Sequence, residues 1–442
     1  VERASPACKP SSVIQCCSRL HCWRRHTAAV LGRVINGNNS STAISTGRMK
    51  HSPCAFQATS GAVLRQKAVF LKKFAHTPCR AVCMMHPLSQ KRNEERELPE
   101  TIREARHAAS GKTVNLIVMA PKDAPHLDSL KTLPACFRIV GIGCTVAELS
   151  NLECKWESVD VMLVYALWLA FVNDIKAVFS KASNLKWLHV ATTGVDHLMA
   201  PEIVDSDVII TNAQGSFSHS LAEWTLAACN WFAKDLPRMR ASQKMKKFDP
   251  FEVEELRGRV MGIVGLGDIG CAAARLARAF KMGVVGMRRN ARLSAEEQQE
   301  GLVDKIYPPE EICSMMSACD YVVVALPMTS RTDKLVSKAA IQAMKPNGVL
   351  VNVGRGKTVD EQALIEALQN KAIRGAALDV FEKEPLPEDS PLYDLDNVLL
   401  SAHSAFKTRT FRRDALQSFL DAAERYASGQ ALRHVVDKDA GY

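Results

Sequence analysis

From residue 113 onward, short apolar runs recur at spacings too long for hairpins and long enough to hold a helix between each pair. The runs are four to six residues long and lack polar alternation. That pattern marks strands buried on both faces, which belong to parallel sheets joined by crossover helices. The first series is Val114–Met119, Phe137–Ile142, Val161–Val164, Trp187–Ala191 and Val208–Thr211. The second is Arg259–Val264, Gly283–Met287, Asp320–Ala325, Gly348–Val353, Gly375–Val380 and Asn397–Ser401. A long helical stretch separates them, and Ser220-Leu221-Ala222-Glu223 fits a capping box at its start. After residue 405, apolar Leu416, Phe419, Leu420 and Ala423 put one amphipathic helix over Phe411 to Ala427. The expected fold class is α/β, with two doubly wound parallel-sheet domains.

Charge separates the start of the chain from the rest. The 442 residues carry 57 Lys and Arg against 47 Asp and Glu, a formal charge of +10. Residues 1–93 alone hold 15 basic residues and one acid, Glu2, which leaves the remainder slightly acidic. The folded part therefore has no basic field for nucleic acid. The leader is rich in Ser, Thr, Arg, Cys and Ala, the composition of an organelle transit peptide. Its Ser and Thr favour a chloroplast over a mitochondrion; without a genuine leader the expected location is the cytoplasm. The longest apolar run, Val161 to Val172, has twelve residues, against about 20 for a membrane-spanning helix. Seven cysteines precede residue 94 and seven follow it, and the later ones form no CxxC pair or zinc spacing. Small buried thiols in a reducing compartment are expected, and no metal site.

Chemistry concentrates where predicted strands end. Gly265-Leu266-Gly267-Asp268-Ile269-Gly270 lies between the strand ending at Val264 and a helix-compatible run from Cys271. That is the context a dinucleotide fingerprint requires. Gly265 makes the tight turn, Gly267 admits the pyrophosphate, and Gly270 lets helix and strand pack closely. Amides and dipole at the helix start favour phosphate, and Asp268 and Ile269 of the turn count with the glycines as cofactor-binding residues. The next strand ends in Arg288-Arg289, with Arg288 18 residues after Gly270, where NAD-binding chains place an acid for the ribose diol. A guanidinium pairs instead with a phosphate dianion, so NADP(H) is favoured, with NAD(H) as the alternative.

Arg355, Glu384 and His403 follow three further strands of the second series. In open α/β sheets ligands bind at such carboxyl ends, which makes the three plausible neighbours. Their roles are complementary for reducing a 2-oxo acid. A guanidinium can clamp the carboxylate, and histidine is the side chain suited to donating a proton near neutrality. An acid beside it favours the imidazolium.

These segments resemble the D-isomer-specific 2-hydroxyacid dehydrogenase family over about 113–435. The resemblance rests on Thr193-Gly194-Val195-Asp196, the GLGDIG turn, Ala325-Leu326-Pro327, Asn352-Val353-Gly354-Arg355-Gly356, the run from Ala377 to Pro385, and the strand leading to His403. It implies a flavodoxin-like substrate domain and a Rossmann dinucleotide-binding domain, with the active site in the cleft. The substrate domain would comprise 94–215 and the closing helix in 405–442, and the cofactor domain 216–404. It implies that Arg355 binds substrate, that His403 is general acid and base, and that Glu384 pairs with it. Glu382 is the other candidate by proximity. Amides of Thr193 and Gly194 would hold the carboxylate. Asp379 would hold the nicotinamide carboxamide, and Leu326, Pro327 and Val353 would line its pocket. A homodimer is typical of the family.

The sequence departs from the family pattern around the histidine, where Ala402 replaces a common proline and Ser404-Ala405-Phe406-Lys407 replaces a glycine-containing stretch. Glu384 argues against the formate dehydrogenase branch, and the short stretch after the closing helix against a phosphoglycerate dehydrogenase with a regulatory tail. The expected activity is NADPH-dependent reduction of glyoxylate or hydroxypyruvate. The alternative is a dinucleotide-binding corepressor or scaffold of the same fold.

Overall fold

In the computed structural model, residues 113–149, 154–165, 172–293 and 295–442 are described, all within the compact unit Met84–Tyr442. The leader over 1–93 and the linker at 94–111 lie outside the described residues. Strands β1 (Val114–Met119), β2 (Phe137–Gly143), β3 (Val161–Val164), β4 (Trp187–Val190) and β5 (Ile209–Asn212) form one parallel sheet. Their order is β2-β1-β3-β4-β5, the flavodoxin-like arrangement.

The second sheet contains β6 (Val260–Val264), β7 (Gly283–Met287), β8 (Lys305–Tyr307), β9 (Tyr321–Val324), β10 (Val349–Asn352), β11 (Gly375–Leu378) and β12 (Val398–Leu400). It is also parallel, in the order β12-β11-β10-β9-β6-β7-β8. The chain leaves β6 in one direction through β7 and β8, then crosses back to β9. The reversal between β6 and β9 is the switch point at which such sheets bind ligands. Every residue of β3, β4, β9, β10 and β11 is buried, as continuous apolar runs require.

Two expectations about secondary structure need correction. The second sheet has seven strands, not six. The missed strand, β8, has three residues and pairs at the edge with β7; only Tyr307 of it is buried. So short and half-exposed a strand leaves no apolar run to read. The long helix α1 (Ser218–Ala233) starts two residues before the proposed capping box. Gly215, at φ +87°, turns the chain earlier. Phe217 occupies the cap position without a side-chain bond. Ser220 lies inside the first turn and donates to the Ala405 carbonyl at 2.6 Å. It ties the helix to the loop after β12 instead of capping it.

Helix α2 (Asp268–Ala279) follows the glycine turn, and α3 (Phe411–Ala427) closes over the first sheet. Trp187 of β4 stacks on Phe419 and Tyr426 of α3, at centroid distances of 5.3 and 5.2 Å. Burying Phe419 alone stabilises this packing by about 2 kcal/mol. The fully buried His189 bonds Thr211 at 2.8 Å and Ser418 at 3.2 Å. Burial lowers its pKa to about 3, so it stays neutral and serves the core.

Of the described cysteines, Cys144, Cys229, Cys271 and Cys319 are buried, while Cys136 and Cys154 are half-buried. Cys313 is exposed, contrary to expectation, on the short helix after β8. Among the described residues, no helix is long and apolar enough to cross a membrane. No group of three or more His, Cys, Asp or Glu side chains there could hold a metal ion.

Candidate active site

Arg355 stands just past β10, on a loop shaped by buried Asn352. The Asn352 carboxamide accepts from the Gly354 amide at 3.0 Å and donates to the Arg355 carbonyl at 3.1 Å. Thr358 adds a 2.6 Å bond to the same carbonyl. With its backbone fixed, Arg355 reaches toward the loop after β4. Its Nε donates to Asp196 at 3.1 Å and its Nη1 to the Gly354 carbonyl at 2.9 Å. A Cβ placed on Gly194 would fall 1.4 Å from Nη2. Only glycine therefore lets the guanidinium lie against the Thr193-Gly194 loop. That loop is held by Asn212, whose amide donates to the Thr193 carbonyl at 2.7 Å, and by Thr192, which donates to the Gly194 carbonyl at 2.9 Å.

His403 is fixed by the loop after β11. Its amide donates to the Asp379 carbonyl at 2.8 Å. The Asp379 carboxylate, fully buried, accepts from the amides of Ser404 and Ala405 at 2.9 and 3.1 Å. These bonds accompany a left-handed backbone at His403, φ +48°, a conformation uncommon outside glycine. Its Nδ1 donates to Glu384 Oε2 at 2.8 Å, which leaves Nε2 to give or take a proton. Phe406, part of the unusual flank, sets its ring edge-on to His403 at 5.8 Å and packs on Phe217 and Phe411.

The choice between the two acids is settled by geometry. Glu382 faces Lys334, 3.7 Å away. Glu384 bonds His403 through one oxygen and accepts from the Phe381 amide through the other at 3.0 Å. Burial works to raise the Glu384 pKa. The bond to His403 and its charge, the Phe381 amide and the Arg355 charge outweigh it and hold the group below its ordinary value. Arg355, Glu384 and His403 thus share one electrostatic neighbourhood. Two members of it were not assigned from sequence. Asp196 orients Arg355, and its only signal was its place in the TGVD run. His197 lies beside both; burial lowers its pKa, Asp196 opposes the shift and Arg355 adds to it.

The glycine turn after β6 meets the requirements of a phosphate cradle. Gly265 has φ +105°, and a Cβ there would come within 2.8 Å of the Ala325 carbonyl. A Cβ on Gly270 would meet the Gly265 carbonyl at 2.1 Å. At Gly267 a Cβ would meet nothing within 4 Å, so the turn faces open space with the start of α2 behind it. Ile269 packs on the apolar core, while Asp268 keeps a buried carboxylate oxygen that has no hydrogen-bond partner. Leu326 packs against the apolar cluster that includes Val264, Val322 and Leu350, and the Pro327 carbonyl accepts from Thr332 at 2.7 Å. Val353 is buried and donates its amide to the Val324 carbonyl at 3.0 Å. Past β7, Arg288 donates to the carbonyls of Asn290 (2.7 Å) and Arg292. Arg289 donates to the Tyr442 hydroxyl. These residues fit a dinucleotide: a glycine cradle at a helix N-terminus, and cations at the end of the neighbouring strand.

Comparison with known proteins agrees with this fold. Residues 226–405 match the family model for the NAD binding domain of D-isomer specific 2-hydroxyacid dehydrogenases. A D-3-phosphoglycerate dehydrogenase of Methanocaldococcus jannaschii is 33% identical over 319 residues, covering 71% of this chain and 58% of that protein. The chain thus spans little more than half the length of that relative. Glyoxylate/hydroxypyruvate reductase B of an Enterobacter species is 30% identical over 303 residues, covering 66% of this chain and 91% of that one. Among solved structures, an NADPH-dependent glyoxylate/hydroxypyruvate reductase from Sinorhizobium meliloti, in complex with NADP and sulfate, superposes with TM-score 0.63 at 26% identity. It covers 75% of this chain and 100% of that one.

Proposed function

The chain belongs to the D-isomer specific 2-hydroxyacid dehydrogenase family, and from that premise we propose that it reduces a small 2-oxo acid of the glyoxylate or hydroxypyruvate class to the D-2-hydroxy acid with NADPH. The observation that carries this reading is the pairing of His403 with Glu384 at 2.8 Å, in the electrostatic field of the Arg355 guanidinium. In this reading the substrate domain comprises 94–215 and 405–442, and the cofactor domain 216–404.

Arg355 anchors the substrate carboxylate, and the amides of Thr193 and Gly194 assist. His403 in its charged form donates from Nε2 to the carbonyl oxygen, and Glu384 stabilises that charge and fixes the ring. In the reverse direction the neutral ring takes the proton back. Gly265, Gly267 and Gly270 would cradle the dinucleotide pyrophosphate, and Leu326, Pro327, Val353 and Asp379 would border its nicotinamide. The bound dinucleotide supplies the hydride. Arg288 and Arg289 would recognise the phosphate that distinguishes NADPH from NADH. Arg288→Asp is therefore expected to lower the NADPH-to-NADH ratio of kcat/KM by roughly tenfold or more. An unchanged ratio removes Arg288 from phosphate recognition.

Steady-state reduction of glyoxylate, hydroxypyruvate and 3-phosphohydroxypyruvate with both reduced nicotinamides tests the assignment. Saturable turnover of one of the first two with NADPH supports it. Preference for the phosphorylated acid moves the chain toward its phosphoglycerate dehydrogenase relatives. Cofactor binding without turnover of any of them favours the dinucleotide-binding scaffold. We also propose a homodimer and a chloroplast location directed by 1–93. Sedimentation of the full chain, and the fate of a reporter fused to 1–93, check these two readings.

A further inference from the structure

The segment after α3 crosses from one sheet to the other. Val435 bridges Thr211 in antiparallel fashion, and the Val436 amide donates to the Ile210 carbonyl at 2.8 Å, so the segment begins as an added edge on β5. Asp437 then closes a turn. Its carboxylate accepts from the Ala440 amide at 2.9 Å, and its carbonyl from the Gly441 amide at 2.8 Å. Gly441 takes φ +80°, and the Asp437 amide donates to the Tyr442 carbonyl at 3.0 Å. Lys438 pins the turn by donating to the Ser206 carbonyl and hydroxyl. The turn aims Tyr442 at the second sheet.

There the segment meets the loops after three adjacent strands. A Cβ on Gly441 would lie in ordinary contact with Thr329, past β9, at 3.7 Å. The charge of Asp268, past β6, acts on His434, whose Nδ1 is buried without a hydrogen-bond partner. The Tyr442 hydroxyl accepts from Arg289, past β7, and the Arg289 guanidinium lies over the Tyr442 ring at 5.3 Å. β9, β6 and β7 flank the switch point. The open space at Gly267 remains, so the segment borders this crevice without filling it.

We propose that residues 431–442 form a wall of the cofactor site, and that Tyr442 is a positioning residue that holds Arg289 for the phosphate distinguishing NADPH from NADH. The inference rests on the proposed use of NADPH and deepens it. An arginine on an exposed loop has many rotamers, and fixing one by a ring contact and a hydrogen bond removes that freedom before the ligand arrives. A contact of this kind is worth about fivefold to tenfold in a binding constant.

The test is titration of the full chain with NADPH and with NADH, followed by nicotinamide fluorescence without substrate, for wild type, Tyr442→Ala and Tyr442→Phe. Tyr442→Ala is expected to raise the NADPH Kd about tenfold and leave the NADH Kd within about twofold. Tyr442→Phe keeps the ring and is expected to restore most of the NADPH affinity. Equal weakening toward both cofactors, no change, or tighter binding of both overturns the inference; the last would make the segment a plug. A wild type that binds NADPH no better than NADH defeats phosphate recognition itself, and this inference with it. A wild-type preference that survives in Tyr442→Ala defeats Tyr442 alone.

Discussion

His403→Ala is expected to lower kcat for 2-oxo acid reduction by roughly a hundred- to ten-thousandfold, the usual contribution of a positioned general acid. The NADPH Kd should stay within about twofold, because no described contact of the His403 side chain is with the glycine turn or with Arg289. The imidazole is held on two sides, by Glu384 at 2.8 Å and by the edge of Phe406. Removing it deletes the proton donor and leaves the substrate anchor in place. Stopped-flow turnover together with cofactor titration separates the two effects. Unchanged turnover would remove His403 from the chemistry. Acid should weaken the pair as well. The Glu384 pKa is lowered on folding, so its stabilising contribution is present above the unfolded carboxylate value and is lost as pH falls through the folded one.

Gly194→Ala should be nearly as damaging to catalysis and almost silent in stability. The added methyl would fall 1.4 Å from Arg355 Nη2 and 3.1 Å from Asp196 Oδ1. Both are ends of mobile side chains, so the guanidinium swings away and the backbone stays. Gly194 is not in the left-handed region, so alanine meets no backbone strain there. Losing a two-pronged charged clamp on the carboxylate costs about 3 kcal/mol, or roughly a hundredfold in kcat/KM. The melting temperature should move by no more than about 2 °C. A variant with full kcat/KM would show that Arg355 does not work against this loop. A large fall in melting temperature would show that Gly194 serves folding.

The two predictions rest on parts of the molecule that were unequally visible in sequence. Burial on both faces removes the polar residues that would blur a strand's limits, and the wholly buried β3 coincides with its apolar run; β1 and β7, half-buried at one or two positions, also keep the limits of theirs. β8 was not, since three residues with one buried side chain carry no periodic signal. The start of α1 was misplaced because the capping pattern is local, whereas Ser220 answers to a carbonyl 185 residues away. At the site, residue types and strand ends pointed to Arg355, Glu384 and His403, but the choice between Glu382 and Glu384 required direction, which only coordinates supply. The Tyr442–Arg289 contact joins residues 153 apart through a turn with no apolar pattern. Nothing in the linear sequence announces it.

The most direct measurement is a single turnover. Full-length protein loaded with NADPH is mixed with hydroxypyruvate, and the nicotinamide absorbance is followed while the product is analysed. Rapid loss of that absorbance is expected, one equivalent per chain, with D-glycerate formed in step. Tight NADPH binding with absorbance that never falls would contradict it.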